Sequence, residues 1–246
     1  MRTTPVSNEA PAPRPSSTVV LVRPADPAPE IFMVKRHELA SFGSAYAFPG
    51  GVLEDADRRV HDRCVGVSPA AAGRLLGLEK GGLDYFSAAV RELFEETGVL
   101  LGQTRFDADK LVELRVKLNE GFLTWDTFAA EGELELQCDA LHYFSFWITP
   151  VGLPKRYSTR FFLAELPAEQ QAVHCGSELT QSCWMSARDI LVAHEDKRMT
   201  VHYPTRKTLE RVQQFNSTRA LLEWARCCAE KGVICDQPAF GPDLLR

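Results

Sequence analysis

The stretch of sequence that decides the fold is Arg91-Glu92-Leu93-Phe94-Glu95-Glu96-Thr97-Gly98-Val99. On an α-helix, Glu92, Glu95 and Glu96 stand at positions i, i+3 and i+4, so their carboxylates converge on one face. Three like charges repel one another there unless something neutralises them, and hard divalent cations do this with oxygen ligands. Arg91 lies one turn before Glu95 and can pair with a carboxylate. The stretch thus predicts a helix with a Mg²⁺-binding face, while the simpler interpretation is a solvated acidic surface.

Glycines on both sides of this helix favour the metal-binding interpretation. Upstream, Phe48-Pro49-Gly50-Gly51 stops regular structure and allows another group to approach the backbone closely. Downstream, Gly98 is a natural C-terminal stop for a helix predicted over 85–101. Together the glycines supply a backbone bend beside the acidic face.

Length and composition are ordinary for a soluble globular protein. The 246 residues are 45% hydrophobic and 25% charged, and the formal net charge of −5 gives no general electrostatic reason to bind a nucleic acid polymer. The seven cysteines are odd in number and lack zinc-ligand spacing, which indicates reduced thiols rather than a disulfide framework. No run is apolar enough to span a membrane, and Asp243–Arg246 is no peroxisomal signal, so a cytoplasmic protein is expected.

The chain alternates between strand-like and helix-like segments. Runs of β-branched and aromatic residues predict strands at 18–23, 31–36, 141–148, 159–166 and 179–185. Further helices are predicted at 70–76, 107–119 and 124–130, from about 186, and at about 204–215 and 218–231. We expect an α/β domain over 18–246, after a disordered, proline-rich tail at 1–17.

The quoted stretch resembles the second half of the Nudix box, Arg-Glu-U-x-Glu-Glu-x-Gly-U with U apolar, at every fixed position. The first half, Gly-x5-Glu, is matched by Gly51 and Asp57, with aspartate in place of glutamate, and Glu54 falls at a position that is often acidic. The family usually places seven residues between this acid and the arginine, whereas here the 33 residues 58–90 intervene. Because a loop absorbs such growth at little entropic cost, we expect a protruding, mostly helical insertion at about 58–86.

The resemblance implies a Nudix-type α/β/α sandwich with a mixed β-sheet and extra helices, and a hydrolase that cleaves a diphosphate linkage. One or more Mg²⁺ or Mn²⁺ ions would be held by one backbone carbonyl and three carboxylates, from Gly50, Glu92, Glu95 and Glu96. Glu92 is the first candidate for the catalytic group that orients or deprotonates water, and Glu178 is the alternative. Arg91 would hold a carboxylate in place.

A box that is split after Ala47–Leu53 is similar to one branch of Nudix enzymes, which contains diphosphatases acting on coenzyme A (CoA) and acyl-CoA. The segments 158–163 and 184–186 are similar to this branch too. The resemblance implies CoA or acyl-CoA as substrate. ADP-ribose, nucleotide sugars or dinucleotides form a second class of substrate, and a non-catalytic ligand-binding domain is a third interpretation.

Candidate substrate-binding residues lie outside the acidic helix. Arg36 and Arg160 would hold phosphates, since a guanidinium matches phosphate geometry, although either is also compatible with the end of a surface strand. Phe48 would line a pocket for an adenine or acyl group, while core packing is the commoner role of such an aromatic residue. The expected partner is a small-molecule diphosphate, without nucleic acid polymer or membrane, and a homodimer is an additional expectation.

Overall fold

The computed structural model describes residues 11–36, 45–176 and 179–238. Within these ranges the main sheet has eight strands, namely β1 (Arg14–Arg23), β2 (Glu30–Arg36), β3 (Tyr46–Ala47), β4 (Gly50–Val52), β8 (His142–Ile148), β9 (Tyr157–Glu165), β10 (Leu179–Ser186) and β11 (Cys235–Asp236). A second sheet consists of β5 (Cys64–Val65), β6 (Gly102–Gln103) and β7 (Glu135–Gln137). The helices are α1 (Asp55–Arg59), α2 (Pro69–Leu76), α3 (Gly82–Thr97), α4 (Ala108–Asn119), α5 (Trp125–Glu131), α6 (Ala187–Glu195), α7 (Tyr203–Val212) and α8 (Thr218–Lys231).

Strand β1 lies at the centre of the main sheet, whose order is β10-β2-β1-β9-β8-β11. It pairs in parallel with β9 and antiparallel with β2 and β4, so the sheet is mixed. Its run Val19–Val22 is fully buried, as expected for a strand that is covered on both faces.

The two faces of β1 contribute to two separate hydrophobic cores. Val19 and Leu21 pack with the layer that contains α2 to α5, whereas Val20 and Val22 pack with α6, α7 and α8. This alternation follows from the two-residue period of a strand. The expected sandwich of a mixed sheet between helices is confirmed.

The expectation that residues 58–86 protrude is wrong. Val60, Ala72, Leu76 and Leu83 are at most 4% exposed and belong to the first core. In addition, β5 pairs in parallel with β7. The insertion carries enough apolar side chains to cover one end of the main helix layer, so it packs against α3 and extends the core.

Several element boundaries differ from the sequence prediction, and two of these differences have a clear local cause. Strand β1 begins at Arg14 rather than at residue 18, because its first residues pair with β9 and its buried Ser17 donates a hydrogen bond from Oγ to the Tyr85 carbonyl at 2.8 Å. Helix α3 ends at Thr97 because Gly98 adopts a left-handed conformation with φ of 76°.

All seven cysteines lie in the described part of the chain and are free thiols, as the sequence analysis expected. In the same part of the chain, no helix combines the length and apolar character that crossing a membrane would require.

Candidate active site

Helix α3 presents the acidic motif beside strand β4, where Gly50 contacts Glu96 and Gly51 lies against Glu92. Leu93 and Phe94 are at most 1% exposed and anchor the helix in the first core. The side chains of Glu92 and Glu95 retain 14% and 19% exposure, and Glu96 as a residue retains 7%. The helix therefore places three carboxylates at the boundary between core and solvent.

Arg91 is the centre of the ion-pair network. It is 2% exposed, and its Nε and Nη2 donate to the two carboxylate oxygens of Asp57 at 2.9 and 3.0 Å. Its Nη1 donates to Glu92 at 2.9 Å and to Glu95 at 3.0 Å, while Nη2 also donates to the Val52 carbonyl at 2.9 Å. Asp57 is fully buried. Its pairing with Arg91 brings the two halves of the box together in space, although the insertion separates them in the sequence.

The glycine pair Gly50-Gly51, which precedes α1, contacts helix α3 directly. The Gly50 N–H donates to Glu96 Oε2 at 3.0 Å. A Cβ on Gly51 would lie 2.3 Å from Glu92 Oε1, and a Cβ on Gly50 would lie 2.3 Å from the Ser17 carbonyl. Gly50 also has φ of 152°. Position 51 therefore requires glycine for the close approach to Glu92, whereas position 50 requires it because of its φ and its contact with the β1 backbone.

The network around Arg91 carries more negative than positive charge, because one guanidinium pairs with the carboxylates of Asp57, Glu92 and Glu95. Burial raises the pKa of Glu95 to about 7, with Arg91 opposing the shift and the neighbouring Glu92 and Glu54 adding to it. Burial disfavours the charged form of Arg91, but Glu92, Asp57 and Glu95 outweigh it and raise the pKa of this guanidinium. One arginine does not neutralise the cluster, so an added cation is favoured there.

A cavity of about 460 Å³ opens beside the acidic face of α3. Its other walls come from α1, from Asn119 at the end of α4, and from the segment that joins α4 to α5, which includes Leu123. Among the residues that the structure describes, the charged groups that line it are five carboxylates and two guanidiniums, from Glu54, Asp55, Glu92, Glu95, Glu96, Arg59 and Arg91. Its size lies in the range of small-molecule sites.

The donor set fits a hard divalent cation, because carboxylate and carbonyl oxygens are the ligands that Mg²⁺ and Mn²⁺ prefer. Within the ranges described above, no three acidic, His or Cys side chains already meet at the spacing of a metal site. Arg91 holds Glu92 and Glu95, and the Gly50 N–H holds Glu96. Side-chain rotation of these glutamates would accompany metal binding.

Arg160 does not reach this cavity. It is 4% exposed, and its guanidinium lies 4.3 Å from the ring centres of both Tyr85 and Phe146. Its Nη2 donates to the Leu76 carbonyl at 3.2 Å. The proposed contact with a phosphate is therefore replaced by a packing role beneath α2 and α3.

Of the remaining predicted residues, Phe48 is not brought to the cavity. Phe48 is 2% exposed and packs edge-to-face on Phe161, at 6.4 Å between ring centres, in the second core. Arg36 is the last residue of β2, and its side chain is not among the described groups. Glu178 lies outside the described residues.

Sequence reasoning missed the wall formed by α1. Glu54 caps this helix, and its backbone N–H donates a hydrogen bond to Asp57 Oδ2 at 2.8 Å. Asp55 and Arg59 line the cavity from the same helix. Glu54 and Asp57 form a reciprocal capping box in the structure, but glutamate is not among the usual N-cap residues, so the sequence carried little signal for this helix start.

The comparison with known families agrees with this geometry. A family model described as the NUDT19 Nudix domain matches residues 81–212, more than half of the 246 residues. This chain belongs to the Nudix hydrolase family. Nudix hydrolases in general cleave pyrophosphate bonds and use divalent metal cations.

Two relatives illustrate the similarity. The putative nudix hydrolase 7 of Caenorhabditis elegans is 24% identical over 225 residues, which are 87% of this Nudix chain and 66% of that protein. This chain therefore spans slightly less than two thirds of the length of that relative. The crystal structure of a NUDIX hydrolase from Alicyclobacillus acidocaldarius has a TM-score of 0.70 and 23% identity, and the match covers 86% of this chain and 96% of that one. That likeness shows the shared fold.

Proposed function

We propose that this protein is a Mg²⁺- or Mn²⁺-dependent diphosphatase whose substrate is CoA or a short acyl-CoA. The observation that carries the activity is the pairing of Arg91 with Asp57, which places Glu92, Glu95 and Glu96 beside the glycine pair at the mouth of a cavity. A ligand-binding domain without catalysis has little reason to keep this cluster, since buried carboxylates are costly unless they are neutralised.

The proposed roles follow from what each group contacts. The metal ligands are the Gly50 carbonyl and the carboxylates of Glu92, Glu95 and Glu96. When bound, the metal would offset the charge of the diphosphate and acidify a water molecule. Arg91 orients Glu92 and Glu95 through its Nη1. Glu92 accepts the proton of the attacking water in this proposal, and Glu178 is the alternative base.

The CoA assignment is supported by the resemblance of the split box, in which the insertion follows Asp57. Among the described residues, Arg59 of this insertion lines the cavity. Hydrolysis at the diphosphate would give 3′,5′-ADP and a 4′-phosphopantetheine product. The cavity of about 460 Å³ suits one half of such a substrate, with the other half extending into solvent.

A screen that separates the reaction products tests both the diphosphatase activity and the choice of CoA or acyl-CoA as substrate. The full chain is incubated with Mg²⁺ or Mn²⁺ and with CoA, acetyl-CoA, ADP-ribose, a nucleotide sugar or diadenosine polyphosphates, and the products are separated by chromatography. The Glu96→Gln variant serves as the control for contaminating hydrolases. Faster cleavage of ADP-ribose than of either CoA compound would move the protein to the second substrate class, and no cleavage of any of them would contradict the enzymatic function.

A further inference from the structure

Within the described part of the chain, two guanidinium groups line the active-site cavity, from Arg91 and Arg59, and they differ in how many of their N–H donors are already used. Arg91 is 2% exposed, and all of its N–H groups have acceptors, from Asp57, Glu92, Glu95 and the Val52 carbonyl. It therefore has no donor left for a substrate.

Arg59, in contrast, still has N–H donors that a substrate could use. Its side chain is 54% exposed at the end of α1. Among the described residues, the hydrogen bond of its guanidinium runs from Nε to Asp126 Oδ2 at 2.6 Å, which leaves its two terminal nitrogens available. Asp126 lies on α5 and does not line the cavity. The ion pair therefore holds the Arg59 guanidinium at the wall of the cavity and leaves its Nη1 and Nη2 donors available.

We propose that Arg59 binds a substrate phosphate that lies outside the cleaved diphosphate, such as the 3′-phosphate of CoA, and that it thereby determines specificity. The identity of the substrate rests on the proposed function. Five carboxylates line the same cavity and repel any phosphate that is not bound to metal. Such a phosphate needs a cation of its own, and a guanidinium edge matches its geometry.

Steady-state kinetics with CoA and dephospho-CoA, which differ only in this phosphate, test the role of Arg59. The Arg59→Ala variant should raise KM for CoA by about tenfold, because a hydrogen-bonded ion pair is lost. The kcat for CoA and both constants for dephospho-CoA should stay within about twofold of the wild type. Arg58→Ala is the matched control, since Arg58 is adjacent on α1, pairs with Asp84 at 3.3 Å and does not line the cavity. Arg58→Ala should leave KM and kcat unchanged for both substrates.

The Asp126→Asn variant distinguishes two roles of Arg59, namely a contact with a substrate phosphate and a structural ion pair between α1 and α5. This variant weakens the ion pair but keeps the guanidinium, so the preference for CoA should persist. If Asp126→Asn reproduced the effect of Arg59→Ala, or if Arg59→Ala raised KM equally for both substrates, the proposed phosphate contact would be overturned.

Calorimetric binding of 3′,5′-ADP and of AMP gives a readout that does not depend on turnover. The wild type should bind 3′,5′-ADP more tightly than AMP, and Arg59→Ala should bind the two equally. If neither CoA nor dephospho-CoA is cleaved, the proposed function fails, while this measurement still decides the role of Arg59. Equal affinities for the two nucleotides in the wild type would reject that role.

Discussion

Arg91 donates two hydrogen bonds to Asp57, a residue 34 positions earlier in the chain. Both side chains are almost fully inaccessible to solvent, at 2% and 0% exposure. The same guanidinium also holds Glu92 and Glu95. This pair therefore connects the first half of the box, on α1, to the acidic helix α3, and its loss affects the stability of the fold and the geometry of the site together.

The Asp57→Asn substitution should strongly destabilise the protein. It leaves a buried guanidinium without its main counter-charge, which costs about 3 kcal/mol or more in the free energy of unfolding. Urea unfolding followed by circular dichroism measures this change. Glu133→Gln is the control, because Glu133 forms an exposed pair with Arg105 and should have no measurable effect. Equal stability of Asp57→Asn and the wild type would contradict the role of the pair.

The helix that carries the acidic motif was predictable from sequence because its information is local. The spacing of Glu92, Glu95 and Glu96 and the stop at Gly98 depend on a single helical period, and the structure has α3 over Gly82–Thr97. The alternation of strand-like and helix-like segments predicted an α/β domain, whereas the α/β/α layering was implied by the resemblance to the Nudix box.

The positions of Arg160 and Phe48 were not predictable in this way. Which face of a strand meets which helix layer depends on register and on the packing of distant segments. Arg160 on β9 faces the aromatic residues beneath α3, and Phe48 packs in the opposite core. Similarly, the packing of residues 58–86 depends on the pairing of β5 with β7, which sequence patterning does not encode locally.

Glu95→Gln and Glu96→Gln should each abolish most turnover while the fold remains intact. Removing a metal-binding carboxylate should lower kcat by about 10²-fold or more. The measurement is the initial rate on the best substrate at saturating Mg²⁺ or Mn²⁺. Glu113→Gln makes the same chemical change on the exposed side of α4, where Glu113 pairs with lysines, and should leave the rate unchanged. Wild-type rates in both site variants would refute the metal assignment.

Divalent cations should stabilise the folded protein. A ligand that binds only the native state raises the unfolding free energy by about 2.7 kcal/mol at a concentration of 100 times its Kd. Differential scanning fluorimetry should therefore show a higher Tm for the wild type after addition of Mn²⁺ or Mg²⁺. The increase should be smaller in Glu96→Gln, and an identical increase in both proteins would place the bound ion elsewhere.

The metal-free protein should be more stable when Glu95 is replaced by glutamine. Burial raises the pKa of Glu95 to about 7 in the fold, above that of an unfolded glutamate. The folded wild type therefore binds this proton more tightly and loses stability as pH rises from about 4.5 to 7. With a chelator present, Glu95→Gln should have the higher Tm at pH 8, and the difference should shrink toward pH 5. A constant difference across this range would show that titration of Glu95 is not its cause.

Gly51→Ala should impair catalysis more than folding. The added Cβ would lie 2.3 Å from Glu92 Oε1, and this carboxylate can move only by leaving the Nη1 hydrogen bond of Arg91. The adjacent Gly50→Ala differs, because its Cβ would meet the Ser17 backbone carbonyl at 2.3 Å and its φ of 152° is unfavourable for alanine. A backbone contact cannot be relieved by side-chain rotation, so Gly50→Ala should lower Tm more than Gly51→Ala does.

The comparison of kcat and Tm in both glycine variants decides between these effects. We expect Gly51→Ala to lose about tenfold or more in kcat, because a displaced catalytic group costs well over 1.4 kcal/mol of transition-state stabilisation. Gly232→Ala is the control for glycine replacement itself, since it caps α8 at a positive φ and nothing lies within 4 Å of its added Cβ. That variant should lose some stability and no activity. If Gly51→Ala kept the wild-type kcat, the close approach between the glycine pair and Glu92 would have no catalytic role.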